Sequence, residues 1–152
     1  MNDKEANAQK KRIRYLVDKW VKQLGLGWWH ITYEWTRESV ATDVAPYESS
    51  ANHYVLMTTE SDGNYMSATI TVYLPNIAEV DDDLLEHAFV HELMHIFVSP
   101  MRTKEHAGDE ERVCTLLSKA FIWAVDLVPK KARELKRGAK KKHVKKSKGH
   151  KK

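Results

Sequence analysis

The sequence predicts one α+β domain in which a small sheet of three or more strands packs against helices. Helical periodicity appears at the start of the chain and again after residue 82, and three segments rich in β-branched or aromatic residues lie between. The 152 residues are enough for one hydrophobic core. No apolar run approaches the roughly 20 residues of a membrane helix, so we expect no membrane partner.

The first half of the chain predicts one helix followed by three strands. Residues 4–24 carry apolar side chains three and four positions apart, and Gly25 and Gly27 end that helix. Strands are predicted over 28–35, 52–59 and 67–74, with a turn at 61–64 that makes a hairpin of the last two. We expect the tryptophans to pack between the first helix and the sheet: Trp20, Trp28, Trp29, Trp35 and Trp123.

The second half predicts two further helices. Asp83 and Glu86 have capping-box spacing, which predicts a helix over 84–98 that ends before Pro100. Another helix is predicted to begin near Asp109. Its apolar residues share one predicted buried face, made of Val113, Cys114, Leu117, Ala120, Phe121 and Ala124.

The charge of the chain is distributed very unevenly. Its formal net charge is +4, but residues 130–152 contain 13 Lys or Arg and one acidic residue, Glu134, whereas residues 1–129 have a net charge of −8. We therefore predict a folded domain over 1–129 and a basic, disordered tail over 130–152. A tail of this kind can contact nucleic acid or another polyanion through phosphates, can serve only to keep the protein in solution, or can fold back on the acidic domain as an inhibitor.

The N-terminal residues and the cysteine count limit the expected cellular location and the possible kinds of metal site. A polar start without an apolar segment predicts a cytoplasmic protein rather than a secreted one. Cys114 is the single cysteine, which excludes an internal disulfide and any zinc site made of several cysteines. A metal ion would therefore need histidine and carboxylate ligands.

The segment from His91 to His95 reads His-Glu-x-x-His and lies inside a predicted helix. Residues four apart share a helix face, so His91 and His95 can bind one Zn²⁺, while Glu92 can reach a metal-activated water as general base. Zinc lowers the pKa of such a water and polarises a carbonyl group, which predicts hydrolysis of peptide bonds.

A catalytic zinc ion usually has three protein ligands, so one more is needed downstream. Glu110 lies about 20° from Leu117 on a helical projection, in line with the predicted buried face. A buried carboxylate needs a compensating cation, so we predict Glu110 as the third ligand. Glu111 and His106 are the alternatives.

These motifs resemble those of small zincin metallopeptidases of the gluzincin type, in which a glutamate helix follows the His-Glu-x-x-His helix. The chain is similar to ImmA/IrrE-like and SprT-like metallopeptidases, best over residues 67–125. The resemblance implies a zincin-like fold, a protein or peptide substrate, and an edge strand, here 67–74, that pairs with extended substrate. It also implies an oxyanion-stabilising residue outside the motif, for which the candidates are Tyr65, Tyr73, His87 and His106.

Two functions are therefore predicted. The first is a zinc-dependent peptidase. The alternative is a non-catalytic or regulatory zinc protein that binds nucleic acid or a partner protein through its basic tail.

Overall fold

A computed structural model of the chain describes residues 1–40, 54–101 and 109–126. Within these residues the protein is α+β, with four helices and a three-stranded mixed sheet. The helices are α1 (Asp3–Gln23), α2 (Leu74–Ala78), α3 (Asp82–Val98) and α4 (109–126), and the strands are β1 (His30–Thr36), β2 (Met57–Asp62) and β3 (Ser67–Tyr73). In these segments no helix is both long and apolar enough to cross a membrane.

Contacts divide the chain into two compact units, Met1–Ser118 and Lys119–Lys152. Every side chain of the candidate site described below lies in the first unit. Of the second unit, only the helical residues 119–126 are described. The predicted domain boundary at residue 129 and the basic tail over 130–152 lie outside the described residues.

Helix α1 agrees closely with its prediction and begins with a capping box that the sequence reading missed. The Asn2 side chain accepts a hydrogen bond from the backbone N–H of Glu5, and the Glu5 carboxylate accepts one from the backbone N–H of Asn2. The chain leaves the helix through Gly25, whose φ of +71° favours glycine. Ile13, Leu16 and Trp20 bury the predicted apolar stripe.

The sheet has the strand order β1–β3–β2, so β3 is central. β1 runs parallel to β3 from His30 opposite Ser67 to Thr36 opposite Tyr73, and β2 runs antiparallel on the other side. The prediction that 67–74 is an edge strand is therefore wrong. Parallel pairing joins segments that are distant in sequence, and the local pattern of β3 carries no sign of it.

The strand boundaries differ from the predictions by a few residues. β2 ends at Asp62 rather than at residue 59, so the turn begins later, at Gly63, and contains Met66 at φ +48°. The first strand begins at His30 because Trp28 lies in a 3₁₀ turn, where it is 87% exposed. Trp123 is also exposed, so the prediction that all five tryptophans pack in the core is wrong for these two, whereas Trp20 is fully buried.

Helix α2 occupies the connection between β3 and α3 and was not predicted. Its Asn76 is 2% exposed and fixes the ends of the segment between β1 and β2. Asn76 donates from Nδ2 to the carbonyl oxygens of Val40 and Val55, at 2.9 and 2.7 Å, and accepts from Ser39 Oγ at 2.7 Å. All the hydrogen-bonding groups of this buried side chain are therefore used for structure.

Helix α3 contains the His-Glu-x-x-His segment and begins two residues earlier than predicted. The side chain of Asp81, not Asp83, caps the helix by accepting from the backbone N–H of Leu84 at 2.8 Å. Glu86 instead accepts hydrogen bonds from Trp20 Nε1 at 2.6 Å and Lys19 Nζ at 2.5 Å. These contacts join α1 to α3. The helix ends at Val98, as predicted.

Within the first ten residues of α4, the predicted buried face is confirmed in part. Cys114 and Ser118 are buried, and the Glu110 side chain is 8% exposed. Val113 is 38% exposed, so the prediction that it shares the buried face is wrong. Ala120 and Ala124, in the second unit, are also exposed.

Candidate metal centre

The two histidines of α3 direct their Nε2 atoms at one point. His91 and His95 lie one helical turn apart, their rings are inclined at 73°, and the two Nε2 atoms are 3.1 Å apart. Four-coordinate zinc with bonds near 2.0–2.1 Å holds neighbouring ligands about 3.3 Å apart. The separation is therefore close to that of two ligands of one ion.

A carboxylate of α4 completes this cluster, and it belongs to Glu111. Its Oε2 lies 3.2 Å from His91 Nε2, and its Oε1 lies 3.5 Å from His95 Nε2. The Glu111 side chain is 70% exposed, so the cluster opens toward solvent on that side. The structure thus brings His91, His95 and Glu111 together as one group of three donors, which we call the three-donor cluster.

Glu110, the ligand predicted from the sequence, lies behind the ring of His95. Its Oε1 is 2.8 Å from His95 Nδ1, on the opposite side of the imidazole from the three-donor cluster. The Sγ atom of the buried Cys114 is 3.6 Å from the same nitrogen. Thr115 has a corresponding position behind His91, with Oγ1 3.5 Å from His91 Nδ1. Helix α4 therefore contacts the two histidines at their Nε2 atoms through Glu111 and at their Nδ1 atoms through the other three residues.

The charge state of His91 is influenced by its surroundings. Burial lowers the pKa of His91, and the neighbouring His95 lowers it further, whereas Glu111 acts in the opposite direction. The net effect favours the neutral ring, which is the form that coordinates metal ions.

Glu92 is half-buried, and its carboxyl group lies beside the cluster. Burial is the main cause that raises the pKa of Glu92 to about 7, and the charge of Glu111 acts in the same direction. Thr59 and His95 lower this pKa, but by less. The Thr59 hydroxyl is itself buried and makes no hydrogen bond of good geometry among the described residues, but it is near enough to affect Glu92. Thr59 belongs to β2, so this strand lies next to the site. Nothing in the sequence around Thr59 indicated this.

The candidates for oxyanion stabilisation lie outside the three-donor cluster. Tyr65 is 81% exposed in the β2–β3 turn, and His87 is exposed one turn before His91. Tyr73 is half-buried at the end of β3. His87 belongs to neither of the groups of His, Cys, Asp and Glu donors in the described part of the chain. His106, which is also the alternative ligand, lies outside the described residues.

Comparison of the chain with protein-family models, with curated proteins and with solved structures finds no match.

Proposed function

We propose that this chain is a zinc-dependent peptidase with a zincin-like site of the gluzincin type. In this proposal His91, His95 and Glu111 bind the metal ion and Glu92 is the general base. The observation that supports it most strongly is the approach of two imidazole nitrogens and one carboxylate to within 3.1–3.5 Å of one another. Glu111 replaces Glu110 as our choice of third ligand because its oxygens, unlike those of Glu110, face both Nε2 atoms.

The chemistry of the three donors fits zinc. Two neutral imidazoles and one carboxylate are typical of catalytic zinc sites and leave one position open. When both Nε2 atoms carry lone pairs, they and the carboxylate oxygens are acceptors that face one another, an arrangement that a bound cation would stabilise. Zinc bound there would act as a Lewis acid that lowers the pKa of a coordinated water and polarises a substrate carbonyl.

Glu92 is suited to act as the base. It follows His91 directly and lies beside the cluster, where burial raises its pKa to about 7 when no cation is bound. A cation held by the cluster would lower this pKa and keep Glu92 ionised at neutral pH. Glu92 would then accept the proton of the attacking water and deliver it to the leaving amine.

Strand β2 is our proposed binding site for extended substrate. It has one strand neighbour among the described residues, and its Thr59 lies against Glu92. A peptide added beside β2 would gain main-chain hydrogen bonds without any requirement for sequence, as unfolded substrates need. We therefore assign to β2 the pairing with extended substrate that the resemblance implied for residues 67–74.

The decisive experiment compares wild type with Glu92→Gln. We expect about one zinc ion per chain in both proteins after dialysis, measured by atomic absorption, because Glu92 is not a ligand. Hydrolysis of quenched-fluorescent casein should fall by about 10²- to 10⁴-fold in the variant, since the base is lost. Glu79→Gln, an exposed change at the end of α2, is the matched control and should keep full activity.

The outcomes separate the possible errors. Failure of the wild type to bind stoichiometric zinc would refute the whole proposal. Equal hydrolysis by wild type and Glu92→Gln would refute the role of the base.

The strongly basic residues 130–152 favour one alternative, a regulatory zinc protein that binds nucleic acid or a partner protein. In that case Glu92→Gln should leave nucleic-acid affinity unchanged, and the wild type should hydrolyse no peptide.

A further inference from the structure

Two carboxylates of adjacent residues lie on opposite sides of the same histidine. Glu111 faces His95 Nε2 from the solvent side, whereas the Glu110 side chain is 8% exposed and contacts Nδ1. The distance of 2.8 Å between Glu110 Oε1 and His95 Nδ1 is that of a charge-assisted hydrogen bond. An ionised carboxylate can only accept, so the proton of this bond belongs to Nδ1.

This geometry fixes the tautomer of the ring. A neutral imidazole carries one proton, and a proton on Nδ1 leaves the lone pair of Nε2 directed at His91 and Glu111. We infer that Glu110 is a positioning residue, which holds His95 in its Nδ1–H tautomer and thereby presents Nε2 as a metal ligand. The metal half of this inference depends on the proposed function, whereas the tautomer can be measured without metal.

The surroundings of the bond explain why it would be strong. His95 is 14% exposed and Glu110 8%, so little water competes for either group, and the low local dielectric strengthens the hydrogen bond. A negative charge behind the ring also makes Nε2 a better donor to a cation, and loss of such outer partners typically costs 10- to 100-fold in metal affinity.

A competing interpretation assigns the same atoms to a second metal site. His95 Nδ1, Glu110 and Cys114 Sγ lie close enough together to hold an ion. Two observations favour the hydrogen bond. The separation of 2.8 Å is shorter than the roughly 3.3 Å between neighbouring ligands of tetrahedral zinc, and Cys114 is completely buried. A thiolate ligand would give cobalt-substituted protein an intense near-ultraviolet charge-transfer band, which we expect to be absent.

The first test is made on the metal-free full chain labelled with ¹⁵N. Long-range ¹H–¹⁵N correlation spectra at about pH 8, where histidine is neutral, report which nitrogen carries the proton. We expect His95 to be the Nδ1–H tautomer in the wild type and to show an Nε2–H fraction in Glu110→Gln, because the amide can also donate to Nδ1. The spectrum of His95→Asn assigns the signal.

The second test measures zinc affinity by competition with a chromophoric chelator. Glu110→Gln should bind zinc about 10- to 100-fold more weakly than wild type, and Glu111→Gln more weakly still because a ligand is lost. Glu79→Gln, an exposed change at the end of α2, is the matched control, and we expect it to change zinc affinity by less than about threefold.

The results are decisive in either direction. An Nε2–H tautomer in wild type, an unchanged tautomer in Glu110→Gln, or a thiolate band that disappears in Cys114→Ser would overturn the inference. If wild type shows the Nδ1–H tautomer but binds no zinc, the proposed function fails while the role of Glu110 in fixing the ring stands. Equal zinc affinity of wild type and Glu110→Gln would refute the metal half of the inference.

Discussion

Replacing Asn76 by alanine should be among the most destabilising single changes in this fold. The change removes three hydrogen bonds, each with a net value of about 1 kcal/mol, and leaves the carbonyl oxygen of Val55 without its side-chain donor. The carbonyl oxygen of Val40 keeps one partner, because it also accepts from the backbone N–H of Val55 at 3.1 Å. We therefore expect a loss of about 2–4 kcal/mol in the free energy of unfolding, a large part of the 5–15 kcal/mol typical of a domain.

Urea denaturation followed by far-ultraviolet circular dichroism measures this loss. With a slope of about 1–3 kcal/mol per molar urea, the midpoint should fall by about 1–2 M. Asn76→Asp should be at least as unstable as the alanine variant, since a carboxylate would face two carbonyl oxygens. Ser39→Ala removes only one of the three bonds and should cost less than about 1 kcal/mol. A loss below 1 kcal/mol in Asn76→Ala, or one equal to that of Ser39→Ala, would refute the reasoning.

Two further predictions concern the core of the first unit. Tyr33→Phe removes a hydroxyl that is buried and lacks a hydrogen-bond partner among the described residues, so stability at pH 7 should stay equal or rise by up to about 1 kcal/mol. Burial raises the pKa of Tyr33 from 10.0 to about 12, so the folded state keeps the hydroxyl proton to a higher pH than the unfolded state does. Wild type should therefore lose stability relative to the variant as the pH rises from 10 to 12. Parallel curves of stability against pH for the two proteins would contradict this. Glu86→Ala should lower the free energy of unfolding by about 1–3 kcal/mol, because Trp20 Nε1 and Lys19 lose their shared acceptor, and should alter the near-ultraviolet circular dichroism of the indole. Glu86→Gln, which keeps an acceptor, is its control, and equal losses in both variants would show that only the charge matters.

The structural class, the main helices and the motif could be predicted because their signals are local. Apolar side chains three and four residues apart identify α1, and the spacing of His91 and His95 alone determines that they share one face of α3. The helix boundaries were predicted less closely because caps depend on backbone conformation, and Asp81 rather than Asp83 caps α3.

The third donor of the cluster, Glu111, shows why the sequence alone did not identify the whole site. The helical projection correctly predicted that Glu110 is buried, but a buried carboxylate can be compensated by a ring N–H as well as by a cation. The Glu110 carboxylate is compensated by the ring N–H, through its hydrogen bond to His95. The same projection predicts that Glu111 points away from the core, but the three-donor cluster opens to solvent and is reached from that side.

The sequence by itself determined the elements that depend on neighbours along the chain: the α+β class, the His-Glu-x-x-His helix with Glu92 between its histidines, and the separation of an acidic body from basic residues 130–152. Only the tertiary structure decided that β3 is central, that β2 lies against Glu92, and that Glu111 and Glu110 face opposite nitrogens of His95. These arrangements depend on the angle and rotation at which distant segments pack, and packing is set by the whole core rather than by any local pattern.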